Sequence, residues 1–181
     1  MSGNRWEFDK SHSSINFHVR HLMVSKVHGQ FHDWTGVLEL DDADLSRSRV
    51  EVTIDAASID TREPKRDDHL RSPDFLDAEK FPKLEFRATK IERLGADAAT
   101  VHGDLTIHGV TRPVVLDVEL SGQVKDPWGG TRTGFTAKTT ISRKDFGLTW
   151  NVALETGGLL VGDKIEIGIE IEAVKAVAKA A

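Results

Sequence analysis

The sequence predicts an all-β fold of about eight antiparallel strands, and three observations predict it. Apolar residues recur at every second position through most of the chain, the period of a strand buried on one face only. Short segments rich in Gly, Asp and Pro separate these runs, as in hairpins rather than βαβ crossovers. A chain of 181 residues with 39% hydrophobic content is long enough for one domain, spanning residues 1–181, with a sizeable core. A sheet of this kind, apolar on one face, either packs on a second sheet or closes on itself.

The strands follow in order. Ile15, Phe17 and Val19 alternate with Asn16, His18 and Arg20, and the pattern recurs at Val50, Val52 and Ile54 and at Leu84, Phe86 and Ala88. It continues through Val101, Gly103, Leu105 and Ile107, then Val114, Leu116, Val118 and Leu120, then Phe135, Ala137, Thr139 and Ile141. The last run is the cleanest: Ile165, Ile167, Ile169 and Ile171 form one row, and Glu166, Glu170 and Glu172 fall on the other face. Turns are expected at Gly95–Asp97, across His108–Pro113 and across Lys125–Gly130.

Between Thr61 and Pro82 the alternation stops and charges cluster. Ser72-Pro73-Asp74 reads as an N-cap, a first-turn proline and a first-turn acid. A short helix is therefore expected to begin there, with Phe75, Leu76 and Ala78 on its apolar side and Pro82 ending it. This insertion (about 61–82) is a candidate lid over a barrel mouth. The Ala- and Lys-rich tail, about 174–181, is expected to fray.

Composition narrows the function. With 24 Lys+Arg against 29 Asp+Glu, no basic face for nucleic acid is expected. No run is long and apolar enough for a transmembrane segment, and the N-terminus MSGNRWEFDK has no apolar stretch of a signal peptide, so the chain reads as cytoplasmic. The absence of Cys removes disulfides, thiolate metal sites and Cys nucleophiles. No cofactor is predicted.

Catalytic and metal patterns are weak. His18 and His21 point to opposite faces of a strand, and His28 and His32 would stand roughly 13 Å apart on one, too far to share an ion bound at about 2 Å. Asp9 could partner His12, though an Asx turn explains the same residues. Asp145-Phe146-Gly147 has no accompanying kinase pattern, and no GxSxG elbow or phosphate loop is present. The chain reads as a non-enzyme. What remains is the apolar face. An eight-stranded barrel is wide enough either to be filled by its own side chains or to hold one small ligand. Small residues at Ala88, Gly103, Ala137, Thr139 and Gly168 would leave room inside.

Five segments in order resemble the YceI family over about residues 6–174. They are Trp6-Glu7-Phe8-Asp9 with His12-Ser13-Ser14-Ile15, Phe17 and Val19-Arg20-His21; Ser58-Ile59-Asp60-Thr61 with Arg66-Asp67-Asp68-His69-Leu70, Asp74-Phe75-Leu76-Asp77 and Phe81-Pro82; Gly103 to Pro113; Ser142 to Leu148; and Val161-Gly162-Asp163. The resemblance implies a lipocalin-like antiparallel barrel with a short helical lid. It also implies binding of a polyisoprenoid or similar long-chain lipid, sometimes with a diphosphate or isoprenoid-quinone-like head, and often a homodimer. On that basis the lining is expected to comprise Phe17, Val19, Phe31, Val52, Ile54, Phe86, Leu105, Ile107, Leu116, Phe135, Ile141, Leu148, Trp150, Ile167 and Ile169. Phe75, Leu76 and Phe81 would close the entrance, and Arg20, Lys26, Arg143 and Lys144 would meet an anionic head. Two alternatives stand beside a lipid carrier, store or sensor: an interaction barrel with a filled core, and an isoprenoid-modifying enzyme.

Overall fold

The computed structural model describes residues 4–177. Its strands are β1 (Asn4–Phe8), β2 (Ser14–His21), β3 (Ser25–Phe31), β4 (Trp34–Leu40), β5 (Arg49–Asp55), β6 (Ile59–Asp60), β7 (Lys83–Arg93), β8 (Ala98–Ile107), β9 (Val110–Lys125), β10 (Thr131–Ser142) and β11 (Val161–Lys175). Each pairs antiparallel with its neighbours in the order β1-β4-β5-β7-β8-β9-β10-β11-β2-β3-β6, and β1 also pairs with β11, so the sheet closes. Among the described residues there is one α-helix, α1 (Pro64–Arg71).

Eleven strands make eight staves because three staves are broken. Both β1 and β2 lie along β11, with Phe8 opposite Ala173 and Ile15 opposite Ile169. In the same way β3 runs along β2 while β4 runs along β1, and β6 extends the β5 stave beside β3. The break between β1 and β2 is an Asx turn: Asp9 Oδ1 accepts from the Ser11 N–H at 3.1 Å. The Ser13 hydroxyl donates to the Asp9 carbonyl at 2.7 Å and accepts from the Glu172 N–H at 3.0 Å. A side chain thus supplies the ladder bonds that the break removes.

The turn expected across His108–Pro113 shrinks to His108 and Gly109, both with positive φ, and β9 already resumes at Val110. Pro113 sits inside β9 because β10 pairs with that strand only from Asp117 onward. The missing proline N–H faces a stretch with no ladder on that side.

The helix also starts earlier than the sequence predicts. Glu63, not Ser72, is its N-cap: the Glu63 carboxylate accepts from the Arg66 N–H at 2.6 Å, and Pro64 occupies the first turn. Ser72 closes the C-terminus instead, its hydroxyl donating to the His69 carbonyl at 2.6 Å. The charges of this segment serve the backbone. Buried Asp67 accepts from the Thr61 N–H at 2.9 Å, and Arg71 donates to the carbonyls of Ala57 and Ile59. At the other end, the tail expected to fray continues β11 to Lys175, and the Ala176 N–H still donates to Arg5 O. Residues 178–181 lie outside the described residues.

Candidate functional site

Because side chains alternate along each stave, every second residue points into the barrel. Cross-strand register brings these residues into layers: Phe17 and Thr139 both face Ile167, Ile15 and Ala137 both face Ile169, and Phe135 lies between Leu120 and Ile171. The layers do not fill the interior. A cavity of about 290 Å³ remains, lined by 40 residues from Leu45, Leu120 and Phe135 at one end to Phe75, Leu76 and Leu148 at the other. That volume stands at the lower edge of the roughly 300–1,000 Å³ of small-molecule sites. Apart from the Trp34 indole, the polar side chains of the lining are those of Asn16, Ser48, Thr139 and Arg143.

The α1 segment forms one end. After the helix the chain winds back, with the Leu76 N–H donating to Leu70 O and the Ala78 N–H to Arg71 O, and Asp77 takes a positive φ of 47°. This return drops Leu70, Phe75 and Leu76 into the cavity wall. Behind Phe75 stand His69 and Trp150, with ring centroids 4.7–5.1 Å apart among the three. The Asp74 carboxylate holds His69 Nε2 at 2.8 Å.

Arg143 closes the same end from the opposite wall. Its side chain is 2% exposed. The guanidinium donates to the carbonyls of Gly162 at 2.9 Å, Leu148 at 2.7 Å and Trp150 at 2.9 Å. Asp163 lies 3.7 Å away. Burial pulls the guanidinium pKa down and Asp163 opposes that pull. Although Arg143 is the one charged residue of the lining, its N–H groups are spent on folding the segment before β11 across the rim.

The expected lining residues Phe17, Val19, Phe31, Val52, Ile54, Phe86, Leu105, Ile107, Leu116, Phe135, Ile141, Leu148, Ile167 and Ile169 all border the cavity, as do Phe75 and Leu76. Phe81 and Trp150 do not. Phe81 packs on His108, ring centroids 4.7 Å apart, outside the hairpin tip, while Trp150 backs Phe75 from outside the lining. Arg20, Lys26 and Lys144 are exposed on the outer surface, where Lys144 meets Asp163 at 3.1 Å and Lys26 meets Glu166 at 3.6 Å. Of the small residues expected to make room, Ala137 and Thr139 line the cavity. Gly103 makes room indirectly: the Phe86 ring occupies the place its side chain would take. Ala88 packs in the core beside the cavity, and Gly168 lies outside the lining. The β4 residues Trp34, Leu38 and Leu40 also line it; their period-two spacing is visible in the sequence but is interrupted by Gly36.

Among the polar clusters outside the cavity, two are built on glutamates of β11, Glu172 and Glu166. Asp9, His12 and Glu172 bring ligand-type atoms within 4.8 Å of one another. The Arg132 guanidinium already stands among them, donating to Asp9 at 2.8 Å, Glu172 at 2.6 Å and Asp126 at 2.9 Å. Bonds from Ser11, then Arg132 and His12, hold the Asp9 carboxyl well below the usual range. Arg132 and two backbone N–H groups also lower the pKa of Asp126. This cluster clamps β1, β10 and β11 together. The second cluster is a cross-strand pair: His18 faces His28 with rings 5.2 Å apart, and His18 contacts Glu166. Among the described residues no helix is long and apolar enough to cross a membrane.

The chain resembles known proteins throughout. It is 41% identical over 173 residues to a protein of Serratia proteamaculans named UPF0312 protein, covering 94% of this chain and 86% of that one. A crystal structure of the Campylobacter jejuni YCEI protein superimposes with a TM-score of 0.75 at 34% identity, covering 87% of this chain and 90% of that one. A structure from Saccharophagus degradans, described as a polyisoprenoid binding domain implicated in plant cell wall breakdown, shares the fold with a TM-score of 0.70 at 13% identity, covering 96% and 99%. The YceI-like domain matches residues 6–173. With a closed antiparallel barrel, a continuous sequence match and relatives of about 40% identity, the chain belongs to the YceI-like domain family.

Proposed function

We propose that the barrel binds one long-chain lipid of the polyisoprenoid type and carries, stores or senses it without altering it chemically. The observation that carries this reading is the lining: 40 residues in one continuous wall, almost all apolar, running from end to end of the barrel. Each five-carbon isoprene unit moved from water into such a wall gains on the order of 4 kcal/mol gross, at about 0.8 per carbon. Ordering costs leave a net of about 0.3 kcal/mol per heavy atom for large ligands, still enough for a chain-like guest to prefer the interior. The fold shared with the polyisoprenoid binding domain of Saccharophagus degradans supports the ligand class.

The guest's head group stays at a rim. The one charged side chain of the lining, Arg143, is already saturated by carbonyls. An anionic head would instead meet the outer cations Arg20, Lys26 or Lys144. An apolar wall reads width and length rather than functional groups, so fatty acids compete with isoprenoids. Organic extraction of gently purified protein followed by lipid mass analysis tests the proposal. One lipid-sized species per barrel is expected, and protein that is consistently empty, both as isolated and after incubation with prenyl lipids, would leave only an interaction scaffold.

A further inference from the structure

Three strands place metal-ligand side chains in one row on the outside of the barrel. His28 on β3 lies directly opposite His18 on β2, and His18 lies directly opposite Glu166 on β11. Residues paired in this way share a face of the sheet, with Cβ atoms about 4.5–5.5 Å apart. The two imidazole centroids are 5.2 Å apart. Two rings that share one tetrahedral ion, each at a metal–nitrogen distance of about 2.0–2.1 Å, hold their centroids about 5 Å apart. On its other side, His18 Nε2 contacts the Glu166 carboxylate. Spacing along a single strand brings no two histidines together. Pairing across strands does, and adds a carboxylate in the same row.

A second observation marks the same point: a cation already stands there. The Lys26 ammonium lies 3.4 Å from His18 Nε2 and 3.6 Å from a Glu166 oxygen. Lys26 is 42% exposed, and its flexible stem carries the ammonium into water when a doubly charged ion takes its place. The approach is open. Gly168, the next outward position of β11, has nothing within 4 Å of the place a Cβ would take. A groove of about 940 Å³ runs along this face, with His18, His28, Glu166 and Gly168 among its lining. Three protein ligands beside such a groove leave a fourth position for water or a small ligand. Asp9, His12 and Glu172 do bring ligand-type atoms within 4.8 Å of one another as they stand. There, however, the Arg132 guanidinium is bonded to both carboxylates and repels an ion. At His18 the competitor is one exposed lysine, and convergence asks only that the exposed His28 ring turn. Two imidazoles and one carboxylate suit zinc and its neighbours among the transition metals, not calcium or magnesium, which take oxygen ligands.

We infer that His18, His28 and Glu166 bind a divalent transition-metal ion of the zinc class, held across β3, β2 and β11 with its fourth position turned to the groove. Such an ion ties the β2–β3 hairpin to β11, and it does so whatever the barrel holds inside. Calorimetric titration of the full, untagged, chelator-treated chain with zinc chloride tests it. Wild type is expected to bind one equivalent, and its Tm should rise with excess zinc. Calcium chloride at the same concentration should do neither. His18→Gln and His28→Gln, made separately, should each weaken zinc binding at least about tenfold. Lys26→Met removes the competing ammonium and should tighten binding several-fold, a change that misfolding cannot imitate. His12→Gln, at the cluster held by Arg132, should leave zinc binding as it is. The site is overturned if wild type binds no zinc or takes up several equivalents without a saturable first one. It is equally overturned if either His18→Gln or His28→Gln binds as tightly as wild type, if Lys26→Met weakens binding, if the loss follows His12→Gln, or if calcium binds as well as zinc.

Discussion

The Phe17 ring occupies the place that a side chain at Gly29 would take: a Cβ on Gly29 would stand 2.3 Å from Phe17 Cζ, across the β2–β3 ladder. Phe86 lies over Gly103 in the same way on another wall, with a closest approach of 2.4 Å. In each case a glycine lets an aromatic lie back against the sheet, and this keeps the centre of the barrel open.

Gly29→Ala therefore forces the Phe17 ring toward the cavity. Alanine in place of glycine in a strand ordinarily gains about 0.5–1 kcal/mol, but the overpacking costs about 1–3 kcal/mol. A net loss in denaturant midpoint is expected together with reduced uptake of a fluorescent prenyl lipid. Unchanged stability and uptake would mean that the ring moves without cost.

Ala137 and Thr139 are the small lining residues on β10. Ala137→Phe adds a ring beside Ile169 and Val118, where the cavity accepts part of it. The fold should survive with a loss under about 3 kcal/mol, while co-purified lipid drops several-fold. Native mass spectrometry reads both protein and guest. Full occupancy in a folded variant would place the tail elsewhere.

Arg143→Lys removes a fork of donors that an ammonium cannot reproduce. The buried carbonyl of Leu148 and the part-buried ones of Trp150 and Gly162 lose their partners, at about 1–3 kcal/mol for a fully buried group left unsatisfied. A thermal midpoint lower by several degrees is expected. Hydrogen exchange should speed up first in residues 148–162, before the central strands. Uniform exchange across the chain would contradict the role assigned to this side chain.

The Arg132 clamp sets a pH dependence. The Asp9 carboxyl is held below its ordinary range by Ser11 and then Arg132, and that of Asp126 by Arg132 and then backbone N–H groups. A depressed folded-state pKa gives stability that is complete above the unfolded value, about 3.9, and lost as pH falls through the folded value. Asp126→Asn should thus be less stable than wild type at pH 7, and the gap should narrow as pH drops below about 4. Urea unfolding at pH 7, 4 and 3 measures it. A gap that widens with acid would reverse the assignment.

The alternation of Ile165, Ile167, Ile169 and Ile171 and its six partner runs made the barrel legible from the sequence, because strand geometry ties side-chain direction to residue parity alone. For the same reason most of the lining could be named without coordinates. Two kinds of residue resisted. Trp150 and Phe81 are aromatic and near the mouth in sequence, yet they pack on His69 and His108 instead. Parity says nothing about irregular segments, where a side chain's direction depends on how the loop returns. The helix start is ambiguous in the sequence for a related reason. Both Glu63-Pro64 and Ser72-Pro73 carry the chemistry of a helix start, and only the pull of Thr61 on Asp67 and of Ala57 and Ile59 on Arg71 selects the first.

By itself, then, the sequence determined the sheet, its apolar face and the family, since these depend on a local periodicity and on motifs in order. Only the tertiary structure decided that the interior stays open rather than filled. That depends on where Phe17 and Phe86 fold against glycines of neighbouring strands, and on Arg143 spending its charge on carbonyls from a distant loop. Such contacts join residues up to tens of positions apart, and no local pattern encodes them.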